Sequence, residues 1–223
     1  MPQLMIERVV PWTLNGKKQP AFLCTPQYLQ DLAAGYLYTQ GLIAGLSDIA
    51  DMSGDENGLN VALRCEMPSE HSDILERLQK CAPCTGDFCM PLSQVQQLCR
   101  RLLGEKEFFG THRLGLYCGD QAIFREDVGR HNAADKCIAA GLRLGLDFSR
   151  CVLGSTGRIS MEMLAKAATA GIPIFFSRKY PSDIVDDWAK RLGIALVSCA
   201  HSDTPEVYGA AWRVRGAAEA GQD

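Results

Sequence analysis

A chain of 223 residues with 47% hydrophobic and 22% charged side chains is long and apolar enough to bury a core, as one large domain or two small ones, and is not a disordered segment. Its formal net charge of −3 and pI near 5.8 argue against a nucleic-acid partner, because duplex binders carry a basic excess. The opening M-P-Q-L-M-I-E-R-V-V has no basic-then-apolar leader, and no run of the chain is apolar enough to span a bilayer, so the expected location is the cytoplasm, with no membrane partner and no disulfide scaffold despite ten cysteines.

In chain order, residues Ile6 to Leu14 read as a strand that turns at Asn15-Gly16, a strong hairpin signal, and returns as Pro20 to Cys24. Thr25-Pro26 then predicts a helix start, with Thr25 as cap and Pro26 in the first turn. Leu29, Leu32, Ala33, Tyr36 and Leu37 keep helical spacing, and Gly41 ends the run. A second hairpin passes through Asn57-Gly58 into Leu59, Val61 and Leu63, and a short helix is expected from Ser72 to Gln79. Pro83 and Gly86 interrupt regular structure over Lys80 to Cys89, predicting an exposed, mobile loop, and a helix follows from Leu92 to Leu103. The second half alternates strands (114–118, 121–125, 151–154, 173–177, 194–199) with helices (131–144, 160–170, 182–192), predicting a largely parallel sheet. The implied division is an N-terminal α+β domain over 1–79, a cysteine loop over 80–90, an α/β domain over 91–215 and a frayed tail over 216–223.

Ligands of open α/β sheets bind beyond the carboxyl ends of the strands. Three such ends carry cations: Glu126-Asp127-Val128-Gly129-Arg130-His131-Asn132, Ser155-Thr156-Gly157-Arg158, and Arg178-Lys179-Tyr180-Pro181-Ser182. Helix N-termini beside arginines suit phosphate, so the ends predict a pocket for a phosphate or diphosphate ester, against the alternative of arginines solvated at loop tips. His131 and Asp135, at i and i+4, continue the apolar face of Ile138 and Leu142 and are placed to hydrogen-bond, as a site pair or a structural one. Cys81 and Cys84 form a C-x-x-C pair, compatible with sulfur carriage, thiol–disulfide exchange or zinc. A thioredoxin-like context is missing, and Cys89 makes only a third ligand where a closed zinc site needs four, so no metal ligands are assigned, with a zinc-binding structural protein kept as a third alternative. A zinc deaminase needs H-x-E and P-C-x-x-C, and neither is present.

The run E-D-V-G-R-H-N-A-A-D-K, Glu126 to Lys136, resembles the signature of the FdhD family of formate dehydrogenase accessory sulfurtransferases. Asp31 to Leu37, Gly41-Leu42-Ile43, the C-x-x-C with Gly86, Thr156-Gly157-Arg158, Glu162-Met163, Lys166-Ala167, Pro181-Ser182 and Val207-Tyr208 keep the family's order, over about Val9 to Tyr208. The resemblance implies a cytidine-deaminase-like three-layer α/β/α domain beside the smaller N-terminal one. It implies a persulfide-dependent sulfurtransferase that takes sulfur from a cysteine desulfurase on Cys81, assisted by Cys84. The sulfur goes to the Mo-bis-molybdopterin guanine dinucleotide needed by the formate dehydrogenase catalytic subunit. The guanine-nucleotide moiety is then expected among Asp127, Gly129, Arg130, His131, Asn132, Asp135, Lys136, Thr156, Gly157, Arg158, Arg178 and His201, with a mobile loop bringing Cys81 to that cavity. A homodimer, a non-catalytic cofactor chaperone and a paralogue serving another molybdoenzyme remain open. Departures are a shortened 109–112 segment before the signature, Gln40 at a commonly acidic position, and Ser198, Cys199, Ala200 and His201 where the family has an aromatic residue and an arginine.

Overall fold

In the computed structural model, which describes residues 5–64, 73–104 and 110–216, two hairpins build the first sheet. Strands β1 (Arg8–Leu14) and β2 (Lys17–Cys24) turn at Asn15 and Gly16, both at positive φ (49° and 75°), as a two-residue I′ turn requires. Strands β3 (Ile49–Asp55) and β4 (Gly58–Leu63) form the second hairpin. The hairpins join through β1 and β4 in parallel, giving the order β2-β1-β4-β3. That central pairing was not foreseen, since hairpin signals are local and this contact is not.

Helix α1 (Leu29–Thr39) lies between this sheet and the rest of the molecule and is buried nearly all round. Leu32, Ala33 and Leu37 pack on Val10, Trp12, Phe22 and Val61. Its other side meets the later helix α4 (Arg130–Arg143) so closely that a Cβ on Gly35 would sit 2.0 Å from the carbonyl oxygen of Asp135. The helix starts three residues later than expected. Thr25 is not its cap, because Thr25 is already engaged with the second half: its amide donates to Asp127 Oδ2 (3.2 Å), its hydroxyl accepts from Val128 (3.3 Å) and its carbonyl accepts from Lys136 Nζ (2.8 Å). Gly41, at φ 72°, does close the helix, with the Leu42 amide reaching back to Leu37.

The second sheet has six strands: β6 (His112–Cys118), β7 (Gln121–Asp127), β8 (Cys151–Ser155), β9 (Ile174–Ser177), β10 (Ala195–Ser198) and β11 (Glu206–Gly209), in the order β11-β10-β9-β8-β6-β7. It is mixed rather than largely parallel. Only β8–β9 and β9–β10 pair in parallel, whereas β6 runs against both neighbours and β11 against β10. The Gly119-Asp120 turn is too short for a crossover, which forces the antiparallel β6–β7 pair. Helices α4, α5 (Met161–Ala170) and α6 (Asp183–Leu192) cover one face, burying Ile138, Leu164 and Val185 against Leu153, Phe175 and Leu196. Helix α3 (Leu92–Leu102) covers the other through Val95, Cys99 and Leu102. Cys137 and Cys151 are buried in the core, as expected.

The helix expected from Ser72 is α2 (Ile74–Lys80), capped by Asp73, whose side chain accepts from the Leu75 and Glu76 amides; Ser72 itself lies outside the described residues. A two-residue parallel ladder joins β5 (Met90–Pro91) to β12 (Val214–Arg215) and returns the end of the chain to the cysteine segment. The tail expected to fray over 216–223 lies outside the described residues, apart from Gly216.

Candidate functional site: a cationic strand-tip end and a cysteine end

Strands β7, β8, β9 and β10 all end on one side of the sheet, since β7 and β8 both oppose β6 and the others follow β8 in parallel. Ser155 pairs with Ser177, and Val197 pairs with Phe176, which sets Ser198 beside Ser177. Alternation puts the three hydroxyls on the α4–α6 face, as a buried row where strands give way to helices. Ser155 Oγ accepts from the Gly157 amide (3.0 Å). Ser177 Oγ donates to the Gly157 carbonyl (2.8 Å) and accepts from the Lys179 amide (2.9 Å). Ser198 Oγ has no partner among the described residues. Above the row stand the N-termini of α4, α5 and α6; the caps of α4 and α5, Gly129 and Ser160, make no side-chain hydrogen bond to the amides there, whereas in α6 the Ile184 amide donates to Asp183 Oδ1 (2.8 Å). Uncapped amides, a free hydroxyl and arginines make an anion-accepting end.

Gly157 lets this end close up: a Cβ there would lie 3.0 Å from His112 Nδ1 and 3.1 Å from Arg130 Cδ. Arg130 Nε is buried and without a partner among the described residues, an orphan donor that a ligand oxygen would satisfy. Burial, then the charges of Arg130 and Lys166, hold the His131 imidazole down to about 4, so it is neutral at physiological pH. His131 Nε2 faces Ser160 Oγ at 3.5 Å, not Asp135 as its spacing suggested. Arg158, Arg178, Lys179 and His201 are exposed around the same end.

The rest of the signature serves the scaffold. Asp127 and Lys136 are completely buried and form an ion pair at 2.6 Å, closed by the Thr25 carbonyl. Gly129 and Asn132 donate to the other Asp127 oxygen at 2.9 and 3.0 Å, and Asn132 also donates to the Leu23 carbonyl. Asp135 is buried against Lys166 (2.7 Å) and Thr39 (2.7 Å). Thr156 extends the β6–β8 ladder, its hydroxyl accepting from the Arg113 amide. Asp127, Asp135, Lys136 and the Thr156 hydroxyl, expected among the ligand-binding residues, are each engaged within the fold, clamping the N-terminal unit and the sheet tips. Gln40 also has a structural role, bonding Arg77 (2.8 Å) and Glu162 (3.0 Å). Burial pushes the Glu162 carboxyl up, but Arg77 and Lys166 outweigh it and hold it below the ordinary carboxylate range.

Cys81 and Cys84 lie at the opposite end of the sheet. Cys81 follows α2, its thiol donating to the Arg77 carbonyl (3.3 Å) and lying 3.7 Å from Thr169 Oγ1 at the end of α5. The start of α5 is marked by Ser160, beside His131. Nine residues of helix separate the two markers, roughly 14 Å at the helical rise. The Cys84 amide donates to the Leu192 carbonyl (2.8 Å) at the end of α6. A cleft of about 260 Å³ opens beside Cys84, lined by Pro83, Thr85, Gly171, Pro173 and Arg213 among others.

Arg213, fully buried, grips this segment. Nε donates to Gly193 (2.7 Å), Nη1 to Gly86 and Phe88 (both 2.8 Å), and Nη2 to Cys84 (2.6 Å), all carbonyl oxygens. The segment is thus tied down rather than a free loop, and it holds Cys81 away from the cationic end. Burial pushes the Cys84 thiol up, against the pull of Arg213. Cys81, Cys84 and Cys89 are all free thiols, and among the described residues no group of three His, Cys, Asp or Glu gathers to hold a metal. Sequence reasoning missed Arg213, the serine row and His112. Trp212-Arg213, an aromatic–arginine pair near the end of an acidic chain, was the available signal for the first; the serines became legible only once the strands were aligned.

These features define a mixed α/β protein with a cationic strand-tip end and, at the other end of the sheet, a cysteine pair whose second member is held by a buried arginine. The chain belongs to the FdhD/NarQ family, whose model matches residues 5–215. It is similar to the sulfur carrier protein FdhD of Methanothermobacter thermautotrophicus, 27% identical over 213 residues that cover 87% of this chain and 84% of that one. Its likeness to the Nocardia farcinica sulfur carrier protein FdhD is 29% identity, covering 95% and 88%. The crystal structure of a putative formate dehydrogenase accessory protein from Desulfotalea psychrophila superposes with a TM-score of 0.81 at 28% identity, over 96% of this chain and 91% of that one. No helix among the described residues is long and apolar enough to cross a membrane.

Proposed function

We propose that this chain is a cytoplasmic sulfurtransferase that carries sulfur as a persulfide on Cys81. The sulfur comes from a cysteine desulfurase and goes to the Mo-bis-molybdopterin guanine dinucleotide destined for a formate dehydrogenase catalytic subunit. The observation that supports the reading is the free, half-buried Cys81–Cys84 pair, with Cys84 on a surface cleft and its carbonyl held by Arg213. In loading, the Cys81 thiolate attacks the outer sulfur of the donor's persulfide, the donor S–S bond breaks, and the donor cysteine leaves as thiolate. In discharge, Cys84 attacks the inner sulfur at Cys81, leaving a Cys81–Cys84 disulfide and releasing sulfide for the metal. The raised Cys84 thiol supports this order, because a protonated resolving cysteine does not discharge the carrier early.

The strand-tip end is the reading's site for the guanylate phosphates, with Arg130, Arg158, Arg178 and the uncapped starts of α4 and α5 as donors and Gly157 giving the approach. Because the ends are separated along α5, transfer requires the cofactor to extend along the molecule or the cysteine segment to leave Arg213. The same separation favours, as a second reading, a chaperone that holds and presents the cofactor without transferring sulfur. Mass spectrometry after incubation with a desulfurase and cysteine distinguishes the two. One sulfur atom is gained on the Cys81 peptide, Cys81→Ala abolishes the gain, and guanosine diphosphate binding is unchanged in that variant. If Cys81→Ala still restores formate dehydrogenase in a strain lacking its own accessory protein, the sulfurtransferase reading falls.

A further inference from the structure

Two cysteines outside the C-x-x-C pair sit opposite one another: Cys118 at the end of β6 and Cys151 at the start of β8, in antiparallel register. The hydrogen-bond phase of this ladder can be counted. The Thr156 amide donates to the Arg113 carbonyl at 3.1 Å, and the Arg113 amide returns to Thr156 through its hydroxyl at 3.0 Å, so Arg113–Thr156 is a hydrogen-bonded pair. Hydrogen-bonded and non-hydrogen-bonded pairs alternate along an antiparallel ladder. With no register shift between them, Cys118–Cys151 falls on a non-hydrogen-bonded pair. Such pairs hold their Cα atoms about 4.5 Å apart, inside the roughly 4.4–6.8 Å range that a disulfide spans without moving backbone. Both side chains point to the α4 face, Cys151 buried within the core there and Cys118 packed half-exposed against it. Both thiols donate to one oxygen, the Asp147 carbonyl, at 3.3 Å from Cys151 and 3.8 Å from Cys118. Two free sulfurs drawn to a single acceptor, on the one kind of strand pair that brings Cβ atoms close, are poised to bond to each other.

We propose that Cys118 and Cys151 form a second dithiol site, which low-molecular-weight disulfides oxidise to a cross-strand disulfide. Cys118, the accessible member, attacks one sulfur of the small disulfide as thiolate and releases the first small thiol. Cys151 then gives up its proton, attacks the Cys118 sulfur and releases the second. Two protein thiols are oxidised and one small disulfide is reduced to two thiols, so atoms and electrons balance. Burial, with the neighbouring Cys118 sulfur, pushes the Cys151 thiol far up, which suits the resolving and not the attacking role. The site lies at the cysteine end: in the 3-10 turn between Asp147 and Cys151, Ser149 lines the cleft beside Cys84 and the Arg150 guanidinium lies 5.8 Å from the Phe88 ring centre. Oxidation takes both S–H donors away from the carbonyl that opens that turn.

The test uses the reduced full chain and excess oxidised glutathione, followed by acid quench, alkylation and trypsin. Cleavage after Arg113, Arg125, Arg150 and Arg158 puts the two cysteines on separate peptides, 114–125 and 151–158. The expected result is a linked 114–125/151–158 species that dithiothreitol reverses. It is lost in Cys118→Ser and in Cys151→Ala, and retained in Cys81→Ala/Cys84→Ala, so it stands apart from the fate of the sulfur-carrying reading. Circular dichroism checks that each variant is folded. If both cysteines of the folded chain are alkylated as free thiols, or Cys118 stays glutathionylated without linking to Cys151, the proposal is overturned.

Discussion

Replacing Arg213 with methionine, which keeps much of the length and removes the charge, tests what holds the cysteine segment. The guanidinium makes four hydrogen bonds to carbonyl oxygens, three of them within Cys84 to Phe88. At roughly 1.5–3 kcal/mol each, their gross value is about 6–12 kcal/mol. Two terms reduce it. The buried guanidinium no longer carries its desolvation penalty of several kcal/mol, and Gly86 is exposed, so its freed carbonyl turns to water. A net loss of about 3–5 kcal/mol remains, in line with breaking one side of a buried charged contact. The loss falls on the cysteine segment and the β5–β12 ladder rather than on the six-stranded core. Amide exchange reads it directly, because the Cys84 amide is bonded to Leu192. At about 1.4 kcal/mol per decade, Cys84 exchanges about a hundred to several thousand times faster in Arg213→Met. Arg213→Lys recovers only a part, since an ammonium lacks the planar fork that reaches carbonyls on both sides. Unchanged protection of Cys84 in Arg213→Met would refute the reasoning.

Three further outcomes are expected. Folded His131 titrates near 4 against about 6.5 when unfolded, so its contribution to stability is complete above pH 6.5 and is lost as pH falls through 4. Because the ring is partly exposed, we discount the full shift to about 1 kcal/mol between pH 7 and pH 5, and urea unfolding of His131→Gln at both pH values shows that much less acid sensitivity. Lys166→Met strands Asp135 and lowers unfolding free energy by about 3–5 kcal/mol; the double variant Asp135→Leu/Lys166→Met loses less than either single change, read by denaturant melts. In Gly157→Ala the new Cβ presses on His112 and Arg130. Calorimetry should show guanosine diphosphate binding weakened about tenfold, equivalent to about 1.4 kcal/mol, with thermal stability close to that of the parent.

Local chemistry was legible in the chain. The Asn15-Gly16 turn, the Gly41 helix end, most element bounds of the second half and the buried Cys137 and Cys151 follow from backbone preference and hydrophobic period, which act within a few residues. The E-D-V-G-R-H-N-A-A-D-K run marked the family but not its division of labour: period and charge do not say that Asp127 and Lys136 face inward to Thr25 while Arg130 and His131 face the strand tips. The tertiary structure alone decided that division. It also decided the parallel β1–β4 pairing, the serine row and the grip of Arg213 on a segment more than a hundred residues earlier in the chain. The placement of the two cysteines at the far end of α5 belongs with these. Each depends on a hydrogen bond or strand register between residues distant in the chain, and such contacts take their geometry from the packed layers, not from neighbours along the backbone.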